Sequence, residues 1–147
     1  LTLLSFRDRS SRELEGRLLQ AGFDDADVSE ALEGLTRAGL VDDERFARAV
    51  VEQEAGRRLS GRRAVAAALI RKRVDHETAR AVLAELDESG DDGARAQELA
   101  EARATRLRGL APEVAHRRLT DFLMRRGHAP STARAAAARA LGSAADE

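Results

Sequence analysis

The chain has 147 residues, 43% of them hydrophobic and 3% aromatic, with 25 Lys and Arg against 26 Asp and Glu. That length fits one domain or a short array of small units and excludes two large domains. Without cysteine there can be no disulfides, thiolate metal sites or cysteine nucleophiles, and a soluble protein of the reducing cytoplasm is expected, since no apolar run approaches the roughly 20 residues of a membrane span and no signal-type segment opens the chain.

Helix start and stop signals recur at short intervals, and no segment shows the period-2 alternation of a strand, so an all-α protein is predicted. Ser10 with Glu13 makes a capping box for a helix lined by Leu14 and Leu18, which Gly22 can end. Asp24, Asp25 and Asp27 suit the positive end of the next, with Val28, Ala31, Leu32 and Leu35 inward and Gly39 as its stop. Asp42, Asp43 and Glu44 open a longer helix in which Phe46, Ala49 and Val50 face inward. Ser60 can cap a helix of about residues 61 to 73 with the stripe Val65, Ala66, Leu69 and Ile70. Asp75 can cap another bearing Ala79, Val82, Leu83 and Leu86, closed by Gly90. Asp91 and Asp92 begin a further long helix that buries Ala96, Leu99, Ala100 and Leu107. Pro112 fits the first turn of the next, with Leu119, Phe122 and Leu123 inward. Gly127 ends it, Pro130 starts the last helix, and Gly142 precedes the tail. With 30 alanines, the helices are expected to approach closely.

The pattern repeats. A shift of 51 residues lays Leu14, Leu18, Phe23, Val28, Ala31, Leu32 and Leu35 on Val65, Leu69, Val74, Ala79, Val82, Leu83 and Leu86. A further 54 lays Val65, Leu69, Ala79, Val82 and Leu83 on Leu119, Leu123, Ala133, Ala136 and Ala137. Repeats of this size stack because each is too small to bury a core alone. The unit is a long helix followed by a helical hairpin, giving three tandem three-helix repeats at 1–41, 42–90 and 91–147, the first with its long helix cut short. The initial Leu in place of Met agrees with a missing N-terminal segment.

Charge is patterned as well. Residues 24–56 carry ten acids against three bases, and 57–73 carry seven bases and no acid; residues 74–101 hold nine acids and two bases, and 102–126 seven bases and two acids. Near-neutral total charge and scarce aromatics argue against strong binding to free duplex or stacking on single strands.

The run Gly39-Leu40-Val41-Asp42-Asp43-Glu44-Arg45-Phe46-Ala47 resembles the hallmark of the RecX family, regulators of the bacterial recombinase RecA. Ser10-Ser11-Arg12-Glu13-Leu14 resembles that family's Ser-Arg-x-Glu-Leu helix start, Leu35 to Gly39 the run before the hallmark, and Arg125-Arg126-Gly127 its Arg-Arg-Gly near the C-terminus; Gly61-Arg62 and Leu69 to Val74 match more loosely. The chain departs from the family at Arg73, where Gly is usual, and at His128, where a large apolar or aromatic residue is usual, so looser second and third hairpin turns are expected. The resemblance implies three tandem three-helix repeats in an elongated, curved array, without enzymatic activity or cofactor. It implies a protein that binds RecA, lodges in the groove of its filament on single- or double-stranded DNA, and restrains filament growth, ATP hydrolysis and strand exchange in recombination, DNA repair and the SOS response; a monomer is expected. DNA itself would be touched weakly or through the filament, and no membrane is involved. The alternative is a stand-alone helix-turn-helix-like DNA-binding regulator.

Within the hallmark, Asp42 is expected to cap, Asp43 and Glu44 to favour the helix dipole beside Arg45, and Phe46 to fill the core, after the stop at Gly39. The chemical candidates for partner or nucleic-acid binding are Arg57, Arg58, Arg62, Arg63, Arg71, Lys72 and Arg73, because guanidinium forks match phosphate and carboxylate oxygens. Arg117, Arg118, Arg125 and Arg126, with Arg103, Arg106 and Arg108, form a second cluster, and Arg12 and Arg17 can extend the surface. His76, His116 and His128 lack metal-ligand spacing and are expected to be solvated or capping. No catalytic constellation or phosphate loop is present, and a non-enzyme is expected.

Overall fold

The computed structural model describes residues 11–37 and 42–145. The predicted capping serine Ser10 and the hallmark residues Gly39 to Val41 lie outside them. Among the described residues every regular element is helical: α1 (Ser11–Gln20), α2 (Asp25–Arg37), α3 (Asp43–Val51), α4 (Arg62–Arg71), α5 (His76–Ser89), α6 (Asp92–Ala104), α7 (Pro112–Arg125) and α8 (Pro130–Ala145). A π-helical stretch, Glu52–Arg57, continues α3, and a 3₁₀ turn, Thr105–Leu107, continues α6. No helix among them is long and apolar enough to cross a membrane.

Local chemistry fixes most boundaries. Asp24 accepts from the Asp27 N–H at 2.8 Å, Asp42 from Arg45 N–H at 3.0 Å and Asp75 from Thr78 N–H at 3.1 Å, each satisfying an orphan donor of the helix that follows. The Thr78 side chain, with this backbone bond as a smaller contribution, holds the Asp75 carboxyl below its ordinary pKa despite partial burial. Pro112 begins α7 where a missing N–H costs nothing. Ser60 departs from its expected role: Gly61 is the N-cap of α4, and the Ser60 hydroxyl donates to Glu54 Oε2 at 3.2 Å instead.

Two core clusters follow the helices of the described residues, and Leu14 of α1 and Val28 of α2 are also buried. Helices α3 to α5 enclose Phe46, Ala47, Val65, Leu69, Val74, Val82 and Leu83. Helices α6 to α8 close over Leu99, Leu119 and Leu123 with Ala96, Ala100, Ala133, Ala136, Ala137 and Ala140. Small alanine faces let α6 and α8 run close together, so this core is knit by backbone proximity more than by side-chain bulk. Inward and outward differ from the sequence reading at particular positions. Ala47 is buried where Ala49 was expected, Phe23 is 52% exposed, and Ile70 is 76% exposed on α4. The strongest contrast is His128, which is 1% exposed and neither solvated nor a cap.

The hairpin turns are closed by backbone bonds, Val74 N–H to Leu69 O at 3.0 Å and His128 N–H to Leu123 O at 3.1 Å. Arg73 adopts φ +60 where the equivalent Gly127 adopts φ +93.

Candidate partner and nucleic-acid interface

The loop between the π-helical stretch and α4, residues 58–61, joins the α3–α5 group to the α6–α8 group. Its three successive carbonyls each receive a basic side chain from the second group. Arg126 Nη2 donates to Arg58 O, His128 Nε2 to Leu59 O at 2.8 Å, and Arg95 Nε to Ser60 O at 3.1 Å. Leu59 takes φ +59 at the centre of this loop, a conformation unfavourable for a side-chain-bearing residue outside glycine and asparagine. In return the N-terminus of α4, which has no side-chain cap, sends the Gly61 N–H to Arg126 O at 2.9 Å and the Arg63 N–H to Gly127 O at 3.3 Å. The carbonyl end of α7 thus satisfies the amide end of α4, with favourable alignment of the two helix dipoles. Glycine is required on both sides: a β-carbon on Gly61 would overlap the Gly127 carbonyl group, and one on Gly127 would stand 2.6 Å from the Ala64 β-carbon.

This joint organises part of the basic surface. Arg103 lies over the Phe122 ring at 4.5 Å from its centroid, and Arg126 lies beside the same ring at 5.8 Å. Arg118, Asp121 and Arg125 complete a cleft of about 220 Å³ around Phe122. Burial, and then the neighbouring Arg58 charge, lower the Arg126 pKa from its ordinary value without discharging it. Arg58 itself reaches Glu54 at 3.2 Å. The first basic block and the second therefore meet at Arg58 and Arg126. The spacing of four that sets Arg118, Phe122 and Arg126 on one face of α7 was readable from sequence; the role of Arg95, an isolated base in an acidic block held by Asp92 at 2.8 Å, was not.

A second basic cleft, of about 370 Å³, lies where the turn after α4 meets α1. It is lined by Arg17, Arg71, Lys72 and Arg73, with Glu13 and Gln20, and the Arg73 guanidinium rests against Gly16. Helix α4 runs between the two clefts. Arg63 and Arg71 are exposed near its ends, about 12 Å apart along the axis, with Ile70 between them. Arg62 turns away to Asp87 at 2.8 Å. Arg57 and Arg117 are exposed. In the hallmark, Asp42 caps α3 and Phe46 lies in the core. No group of His, Asp or Glu among the described residues is arranged to hold a metal ion.

What this surface belongs to is indicated by comparison. Residues 42–83 match the second three-helix domain of RecX, and residues 1–35 match the first. The chain is 39% identical over 138 residues to the regulatory protein RecX of Mycobacterium sp. (strain JLS), covering 90% of this chain and 74% of that protein. It is 39% identical to that of Amycolatopsis mediterranei (strain U-32) over 127 residues, 86% of this chain and 71% of that one. The crystal structure of RecX from Lactobacillus salivarius superposes with a TM-score of 0.83 at 20% identity, over 95% of this chain and 90% of that one, a likeness of fold.

Proposed function

Because the chain belongs to the RecX family of regulatory proteins, we propose that it binds the RecA recombinase on DNA and restrains filament growth, ATP hydrolysis and strand exchange. It acts by occupancy and catalyses no reaction. The observation that carries this reading is the meeting of two basic blocks at Arg58 and Arg126, continued along α4 to a second basic cleft at Arg17 and Arg71. Guanidinium groups held at separated, fixed positions suit a ligand with anionic groups repeated along its length, whether phosphates or carboxylates of successive subunits. Arg57, Arg63, Arg71, Lys72, Arg73, Arg117, Arg118 and Arg125 are the contact residues in this reading; Arg58, Arg62 and Arg126, like Arg73 against Gly16, also make contacts within the protein.

The chain in this reading comprises three tandem units, is a monomer when dilute and works in the cytoplasm during recombination, repair and the SOS response. A net charge of −1 supports a protein that reaches DNA through its partner, because affinity for bare nucleic acid rests on phosphate neutralisation. The test is a titration of the protein against bare and recombinase-coated oligonucleotide across salt, alongside recombinase ATPase. Preference for the coated strand with falling ATPase supports the proposal. Tight, steeply salt-dependent binding to bare DNA with unchanged ATPase would replace it with a stand-alone DNA-binding regulator.

A further inference from the structure

The internal joint is built from two parts, and each part recurs, uncovered, elsewhere in the chain: one between α1 and α2, the other between α6 and α7. One part is the turn Arg126-Gly127-His128, with Gly127 at φ +93, Gly127 N–H to Met124 O at 3.0 Å and His128 N–H to Leu123 O at 3.1 Å. The turn Ala21-Gly22-Phe23 between α1 and α2 has the same form: Gly22 at φ +97, Gly22 N–H to Leu19 O at 3.1 Å and Phe23 N–H to Leu18 O at 3.2 Å. His128 is fully packed in the joint, whereas Phe23, in the same place, is 52% exposed, and nothing stands within 4 Å of a β-carbon placed on Gly22.

The other part is the receiving loop, Arg58-Leu59-Ser60-Gly61. Its counterpart after α6 is Arg108-Gly109-Leu110-Ala111. Both follow an irregular last turn of a long helix, both hold their second residue at positive φ (Leu59 +59, Gly109 +87), and both lead into a helix without a side-chain cap. The donors used in the joint are the Gly61 and Arg63 N–H groups and not that of Arg62; Pro112, which has no N–H, stands where Arg62 does, so no matching donor is missing. Beside this loop opens an apolar groove of about 600 Å³ lined by Ala104, Leu107, Leu110, Pro112, Ala115 and Leu141.

We infer that the turn Ala21–Phe23 of one copy docks on the groove beside Arg108–Ala111 of a second copy, joining successive molecules through a turn-on-loop contact that resembles the internal joint in layout but replaces its side-chain bonds by apolar burial of Phe23, because Ala21 and Phe23 stand where Arg126 and His128 do. Charge agrees with this occupant. Asp24, Asp25 and Asp27 flank Phe23 and are exposed, and Arg106 and Arg108 are exposed beside the groove. The contact is heterologous, so it does not close on a pair but extends. It is weaker than the internal joint, because Ala111 carries the methyl group that Gly61 lacks and keeps the incoming turn farther away. A turn seated in one groove also buries less than a standard stable interface. Association therefore belongs to high local concentration, as when copies share one polymeric track.

The test uses sedimentation velocity at low salt up to about 1 mM protein, with Phe23→Ser and Leu110→Asp, both at exposed sites, checked for unchanged helicity. The wild type is expected to grow in mass beyond a dimer, and less so at high salt. Each variant alone is expected to associate about tenfold or more weakly. An equal mixture, in which one copy keeps the turn and the other the groove, should stop at a dimer. A wild type monomeric throughout, a variant that associates as well as the wild type, or a mixture no better than its components would overturn the inference. A monomeric wild type whose Leu110→Asp variant binds recombinase filaments more weakly would give the groove to the recombinase instead.

Discussion

The imidazole of His128 donates from Nε2 to the Leu59 carbonyl at 2.8 Å, which bonds the turn after α7 to the one residue of the joint loop held at positive φ. A carbonyl can only accept, so Nε2 carries the proton and the neutral ring leaves Nδ1 bare. That atom is buried without a partner, 3.9 Å from Asp92 Oδ1 and near the cations Arg95 and Arg126.

Burial lowers the His128 pKa, opposed in part by the Leu59 carbonyl and Asp92 and aided by Arg95 and Arg126. The unfolded chain therefore takes up the proton before the folded one. Stability is fully present above the unfolded pKa of about 6.5 and falls as pH drops below it, by at most about 1.4 kcal/mol per pH unit, until the folded pKa is passed. Urea unfolding between pH 5 and 8 should show this slope, and His128→Phe should remove it while leaving Leu59 O unpaired at a cost of about 1–3 kcal/mol. An equal slope in the variant would assign the pH response elsewhere.

Substituting Gly61 by alanine forces the α4 N-terminus off the Gly127 carbonyl. Overpacking of this kind costs about 1–3 kcal/mol, and here it also strips the Gly61 and Arg63 N–H groups of their acceptors. Gly61→Ala is expected to lower the melting temperature, whereas Gly34→Ala, with open space around it inside α2, should not. Equal behaviour of the two would mean that the close approach at the joint carries no strain.

Removal of the Asp42 side chain takes one acceptor from α3 and should cost about 0.5–2 kcal/mol. Phe46→Ala removes a ring from the α3–α5 core and should cost about 3–5 kcal/mol. Denaturant midpoints with unchanged slopes would show both losses as stability; if Asp42→Ala leaves stability intact but abolishes recombinase binding, the carboxylate acts on the partner.

Arg118 and Arg125 line the Phe122 cleft without holding the fold. The double alanine variant is expected to melt within about 0.5 kcal/mol of wild type and to bind recombinase-coated DNA more weakly, with a shallower salt dependence if phosphates are the contact. Arg95→Ala should do the opposite. It leaves the Ser60 carbonyl without that donor and Asp92 without its cation, so stability falls first. Loss of binding by Arg95→Ala at full stability would contradict that division of labour.

The helical character of the chain, most of its boundaries and the apolar register of the α3–α8 helices were legible in the residues themselves, because caps, glycine stops and helical periodicity are local signals acting within a turn or two. Asp42, Asp75 and Gly90 are of this kind. Ile70 was not: its place in the stripe is set by where α5 and α3 lie, and those leave it facing outward. His128 was misread for a related reason. A lone histidine after a glycine has the local signature of a solvated turn, and only the arrival of Leu59, 69 positions earlier in the chain, gives its ring a partner and removes its water. Sequence by itself determined the helices and supplied two blocks of arginine. Tertiary structure decided that Arg58 and Arg126 meet, that Arg62 is spent on Asp87, and that two glycines must touch. Such outcomes depend on contacts between residues distant along the chain, which no local pattern encodes.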